Sequence, residues 1–152
     1  MHAFAATGAG FLMAVLWFDL MFDVQTREHA GGTLPADVLR SISAYYRRVT
    51  TDATPMNRLV SAAMVLTFSV IVAEIARNSN PRWIGWTSIV VAGSAIGLAA
   101  TRTVRNAVRL GSAQDPPDVQ TRLARAIYRD HLYCFAAMTT LAGLQLSVEL
   151  WN

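Results

Sequence analysis

Between Ala3 and Phe18 the chain runs sixteen residues without a charged side chain. Extended at both ends, such a run reaches the length an α-helix needs to cross about 30 Å of hydrocarbon. Three further apolar stretches follow, and the four predict spans at about 3–24, 55–76, 83–101 and 132–150. Lipid offers no partner to backbone amides, so only helices and closed barrels cross it, and stretches of this length select helices. The predicted fold is all-α: a four-helix transmembrane bundle in one domain of 152 residues.

The composition agrees. Apolar residues make up 53% of the chain and charged residues 15%, whereas soluble domains carry about a quarter charged. The mean hydropathy is +0.33. Cys134 is the single cysteine, which excludes an intrachain disulfide and a thiolate metal cluster from this chain alone. All thirteen basic residues are arginine, and the net charge is +3. They flank the apolar spans, so orientation in a membrane accounts for them better than a nucleic-acid partner. The first stretch lacks a basic lead-in and a small-residue cleavage site, so it is expected to remain as a helix.

Along the chain, small residues at Ala6, Gly10 and Ala14 give span one a face for close helix packing. Trp17 is read as an interface anchor or a packing residue beside Asp19. Gly31 and Gly32 mark a polar loop, and Pro35 suits the first turn of a helix. From about 36 to 51 the pattern is amphipathic, with Leu39, Ile42, Tyr46 and Val49 on one face. This stretch is too polar to span and predicts a helix lying in the interface or capping the bundle, within the first cytoplasmic loop. Span two opens at Pro55, and Glu74 near its far end is expected to face the headgroups. Asn78 to Pro81 reads as a turn. Trp83 and Trp86 open span three as an aromatic pair at the interface, Gly93 and Gly97 form a GxxxG, and Gly111 is a natural terminator. Asp118 is expected to pair with Arg122 one turn on. Glu149, Trp151 and Asn152 fall at the other interface.

Four crossings place both termini on one side. Eleven arginines (27, 40, 47, 48, 58, 102, 105, 109, 122, 125 and 129) then share the opposite side, against Arg77 and Arg82 with the termini. The positive-inside rule makes the arginine-rich side cytoplasmic and puts both termini outside. It also brings polar groups from all four spans to one depth. Asp19 and Asp23, one turn apart on one face, end span one there. Asn57 and Arg58 begin span two, Arg102, Arg105 and Asn106 end span three, and Arg129, Asp130 and His131 begin span four. Carboxylates in a hydrophobic span are costly and mark function or pairing.

Two accounts compete at this level. In one, Asp19 and Asp23 pair with Arg58, Arg102 or Arg129 and fix helix register in a non-catalytic membrane subunit. In the other, Asp19, Asp23 and His131 are the reactive groups of a pocket lined also by Arg58, Arg102, Asn106, Tyr128, Arg129, Asp130 and Trp17. Its ligand would be a small amphipathic molecule, with arginines on a carboxylate, phosphate or carbonyl and His131 carrying protons. A metal site from Asp19, Asp23, Asp130 and His131 lacks any ExxH or HxxxH spacing. Proton- or ion-coupled transport is a third class, and four spans without internal repeats would require a homo-oligomer. The cofactor is left open.

In layout the chain resembles the small four-span membrane proteins of the DUF1772 group, which includes anthrone-oxygenase-like proteins. Three features carry the likeness: Arg47, Arg48 and Pro55 before span two, Arg102 and Asn106 ending span three, and Tyr128 and His131 opening span four. The order is also similar to that of HemJ-type protoporphyrinogen oxidases. This chain departs from both patterns. His2 is terminal rather than deep in span one, Ile127 or Tyr128 stands where a tryptophan is usual, and Cys134 stands near the place of a later arginine. The resemblance implies a bacterial plasma-membrane protein that oxidises an aromatic or polyketide-like substrate among membrane lipids.

Overall fold

A computed structural model describes residues 2–29, 31–78 and 81–151. Ser79, Asn80 and Asn152, assigned above to a turn and to the far interface, lie outside the described residues, as do the side chains of Glu149 and Trp151. The described residues form helices joined by turns, with no strand among them. They are α1 (His2–Asp23), α2 (Gln25–Glu28), α3 (Ala36–Arg47), α4 (Thr54–Ala76), α5 (Arg82–Leu98), α6 (Val104–Ser112) and α7 (Pro117–Trp151). Two five-residue π-helical turns, Arg48–Asp52 and Ala99–Thr103, follow α3 and join α5 to α6. Among the described residues, three helical stretches are long and apolar enough to cross a membrane: His2–Glu28, Thr54–Ala76 and Arg82–Ser112. The fourth apolar stretch occupies the C-terminal half of α7, a rod of 35 residues, about 52 Å long at 1.5 Å per residue.

The molecule has two layers. In the first, α1, α4, α5 and α7 form a ring in which α1 touches α4 and α7, and α5 touches the same two. Its core is built from small residues, Ala5, Ala9, Ala92, Ala95 and Ala137, with Leu12, Ile71, Met138 and Leu141 between them. Lipid tails are as apolar as leucine, so close van der Waals packing has to hold such a layer. The tight positions are not those expected. Gly10 and Gly97 face open space, whereas a Cβ on Gly8 would collide with Thr67, and one on Gly85 would lie 2.8 Å from Ile75. Spacing of small residues finds a stripe, but helix rotation decides which stripe meets a neighbour.

In the second layer α3 lies across α6 and the N-terminal half of α7, and so the amphipathic segment caps the bundle. Leu39, Ile42 and Tyr46 pack on Ala107, Leu110, Ala124 and Ile127. Each large side chain buried here contributes about 1.5–3 kcal/mol. Gly111 does not terminate its helix. Ala113 does, in the left-handed region at φ 53°. Gly111 instead lets α3 approach, since a Cβ there would lie 2.7 Å from the Arg47 amide nitrogen. Arg125 ties the loop before α3 to α7 through its Nη2, which donates to the carbonyls of His29 and Gly32 at 2.8 Å each. Asp118 accepts from Arg122 at 2.7 Å, as the spacing predicts.

At the end of the bundle away from the cap, Glu74 is fully buried rather than directed to headgroups. It faces inward because α1 presents His2 to it, with His2 Nδ1 3.2 Å from the carboxylate. The same nitrogen lies 3.2 Å from Gln145 Oε1, and Gln145 Nε2 donates to Ser88 at 3.1 Å. One polar side chain from each of the four ring helices thus closes this layer.

Candidate functional site

Asp19 and Asp23 sit on the last two turns of α1, where it meets both the cap and α7. Asp23 is wholly buried. Its carboxylate accepts the Tyr46 hydroxyl at 2.6 Å on Oδ1 and faces His131 Nδ1 at 2.7 Å on Oδ2. A carboxylate only accepts, so the proton between the last pair belongs to Nδ1. That fixes the imidazole orientation and turns Nε2 toward Asp19. Asp19 Oδ1 accepts the Tyr45 hydroxyl at 2.7 Å. Its Oδ2 stands 3.9 Å from His131 Nε2, too far for a hydrogen bond.

The tyrosines come from the amphipathic helix. Tyr46 belongs to its buried face, while Tyr45, half-buried, stacks on Phe22 with ring centroids 4.0 Å apart. Burial first, and then the carboxylates of Asp23 and Asp19, push the Tyr46 hydroxyl well above its ordinary range. Tyr45 shifts the same way, through burial and then Asp19. Both phenols therefore stay protonated and act as donors.

Beside this network lies a cavity of about 390 Å³ within the ring. Its polar surface comes from Asp19, His131, Tyr45, Tyr46, Thr50, Thr103 and Asn57. The rest is apolar, including Leu12, Leu16, Val60, Met64 and Met138. None of the thirteen arginines lines it. The volume suits a small organic molecule. Oδ2 of Asp19 and Nε2 of His131 stand 3.9 Å apart, too far to bond each other, so one bound hydroxyl can lie between them.

The structure brings together Asp19, Asp23 and His131, the three groups singled out as reactive. It does not bring the remaining residues to the cavity wall. Arg58 and Arg129 are exposed on their helices. Arg102 turns to Asp130, with Nε 3.4 Å from Oδ2, and Thr103 donates to the same oxygen at 3.2 Å. Asp130 is thus buried behind the site rather than in it. Asn106 and Tyr128 are half-buried away from the cavity, and Trp17 points outward against Phe135. Neither Asp19 nor Asp23 meets an arginine among the described residues; two phenols and an imidazole serve them instead. Tyr45, Thr103 and Cys134, which the sequence did not mark as site residues, do line the cavity. The one available signal for the first was the Tyr45–Tyr46 pair in an amphipathic helix, which puts one hydroxyl on the buried face and one at its edge.

The described residues contain no group of three or more acidic, histidine or cysteine side chains arranged to hold a metal. Comparison with protein-family models, with curated proteins and with solved structures finds no match.

Proposed function

We propose that this is a four-span membrane protein that binds a small amphipathic or aromatic molecule in the ring cavity and exchanges a proton with its polar head through His131. α7 supplies the fourth crossing, the arginine-rich cap faces the cytoplasm and both termini lie outside, as the distribution of arginines favours. One observation carries the reading. His131 Nε2 and Asp19 Oδ2 face the cavity 3.9 Å apart, while Asp23 and Tyr46 hold the imidazole from behind. An orienting carboxylate on one ring nitrogen and an open second nitrogen is how a histidine is set up as a general base. Removal of a phenolic or enolic proton raises the electron density of an aromatic ring. An external oxidant such as dioxygen would take electrons more readily from that anion, the class of reaction that the anthrone-oxygenase-like layout implies.

The test uses 1-naphthol as a neutral hydroxylated probe, in lipid nanodiscs. His131→Asn keeps a nitrogen near the position of Nδ1, and with it the Asp23 contact, but removes Nε2. This variant and Asp19→Asn are expected to weaken naphthol binding at least tenfold, about 1.4 kcal/mol, with little change in melting temperature. Unchanged binding in both variants overturns the reading. Loss of stability without any naphthol binding in the parent protein favours the structural account, a membrane subunit whose polar cluster fixes helix register.

A further inference from the structure

We infer that the cavity is filled sideways from the lipid, past the N-terminal half of α4, and that its ligand is an uncharged membrane-dissolved molecule carrying a hydroxyl. This rests on the binding reading above and specifies its ligand class and its route. Three sides of the cavity are the better covered, though Phe22 and Val104, which also line it, are partly exposed. The cap forms a roof, with Tyr45 stacked on Phe22 and bonded to Asp19, and Tyr46 bonded to Asp23. The α1–α7 seam is the most extensive helix contact in the molecule. The α5–α7 side is sealed by Ala95, Cys134 and Met138, all buried.

The fourth side is different. α4 buries only Thr67, Ile71 and Glu74, all in its distal half. Thr54 through Leu59 are exposed without exception, and Val60, Ala63 and Met64 just beyond them meet the ring core only partly buried, so this half of α4 covers the cavity thinly. Two cavity-lining residues at this margin are themselves outward-facing, Phe18 on α1 (62% exposed) and Met56 on α4 (49%). From Leu12 to Phe22 the cavity follows α1 for about 15 Å at 1.5 Å per residue, one leaflet's depth of hydrocarbon. In a bilayer the cavity would therefore run from the level of Asn57 and Arg58 inward through one leaflet, with the deeper part of this margin facing lipid.

The wall also selects charge. With no arginine on it, a carboxylate or phosphate would meet the Asp19 carboxylate, and the one cationic group it could find on the wall, His131, is already engaged by Asp23, an arrangement that disfavours anions. A neutral hydroxyl can donate its one proton to Nε2 of His131 or to Oδ2 of Asp19, which stand on either side of it.

Cys134, on the cavity wall and the single cysteine, reports access directly. The protein is reconstituted in phosphatidylcholine vesicles and treated with pyrene maleimide, which partitions into lipid, or with a sulfonated methanethiosulfonate, which stays in water. The lipid-borne reagent is expected to label Cys134 at least tenfold faster relative to its rate on the denatured chain. Met56→Trp, which fills the mouth, should slow that labelling at least fivefold, and Val60→Trp provides a second plug if the first unfolds. Excess 1-naphthol should protect Cys134, and 1-naphthoate should not. Equal labelling by the sulfonated reagent, no labelling by either, or indifference to both plugs overturns lateral access. Protection by naphthoate overturns the charge selection. If labelling follows the expected pattern but naphthol binding ignores Asp19→Asn and His131→Asn, the route stands and the proton-exchange reading fails.

Discussion

Removing one oxygen atom tests the network behind His131. Tyr46→Phe leaves the ring packed among Leu39, Ile42 and Ile127 and deletes only the hydroxyl that donates to Asp23 at 2.6 Å. Tyr46 is 2% exposed and Asp23 is 0% exposed, so water does not replace the lost donor. A hydrogen bond to a buried carboxylate contributes about 1.5–3 kcal/mol. The expected loss is about 2 kcal/mol of unfolding free energy, measured by denaturation in mixed micelles. Tyr45→Phe deletes the matching bond to Asp19 at 2.7 Å, but Tyr45 is only half-buried and borders the cavity. There the loss should be about 1 kcal/mol or less. The double variant Tyr46→Phe with Asp23→Asn should lose less than the sum of the two single changes, because they remove the same bond. A Tyr46→Phe variant no less stable than Tyr45→Phe, or additive losses from Tyr46→Phe and Asp23→Asn, would refute this role for the Tyr46 hydroxyl.

Alkaline pH acts on the same phenol. The Tyr46 hydroxyl is raised above its ordinary value by burial and by Asp23, so the unfolded chain releases its proton at about pH 10 while the folded chain keeps it. Its contribution to stability is complete below about pH 10 and declines above it, by about 1.4 kcal/mol per pH unit. Denaturation midpoints at pH 9, 10 and 11 check the sign, and Tyr46→Phe should flatten the decline. At the cap, Gly111→Ala places a methyl group 2.7 Å from the Arg47 amide nitrogen and 3.0 Å from its Cα, and backbone gives way less readily than a flexible side chain. About 1–3 kcal/mol of overpacking is expected, read as faster proteolysis between α2 and α3 with helicity retained.

The depth of each polar group was legible in the sequence, and its direction was not. Counting spans set Asp19, Asp23 and His131 at one level, and the structure joins them. The same count set Arg58, Arg102 and Arg129 at that level too, yet they point away from the cavity. A helix is cylindrical, so a position along its axis leaves the azimuth undetermined until the neighbours are known. Long arginines at span ends can also reach outward to water and lipid phosphate. The cap shows the complementary case. Its periodicity was clear, with Leu39, Ile42 and Tyr46 on one face, but periodicity grades residues by hydropathy. It treats Tyr46 as another apolar side chain and misses the hydroxyl that reaches Asp23. Glu74 shows why charge near a span end is a poor guide to exposure, because His2, which meets it, belongs to α1, far away in sequence.

The π-turn at Ala99–Thr103 sets the phase of everything after it. At 100° per residue, the twelve steps from Ala95 to Ala107 in a regular α-helix would turn the two residues 120° apart. Eleven steps would turn them 20° apart. Both side chains are buried, one in the ring and one against α3, and the wider turn absorbs the extra residue that would otherwise put them out of step. Deleting Ala100 would therefore regularise the helix and leave both faces aligned. A one-residue deletion elsewhere in α5 would swing α6 off the cap. The chain thus carries a spare residue at the wall of its cavity, where the lining can be altered in length while the helices on either side keep their bearings.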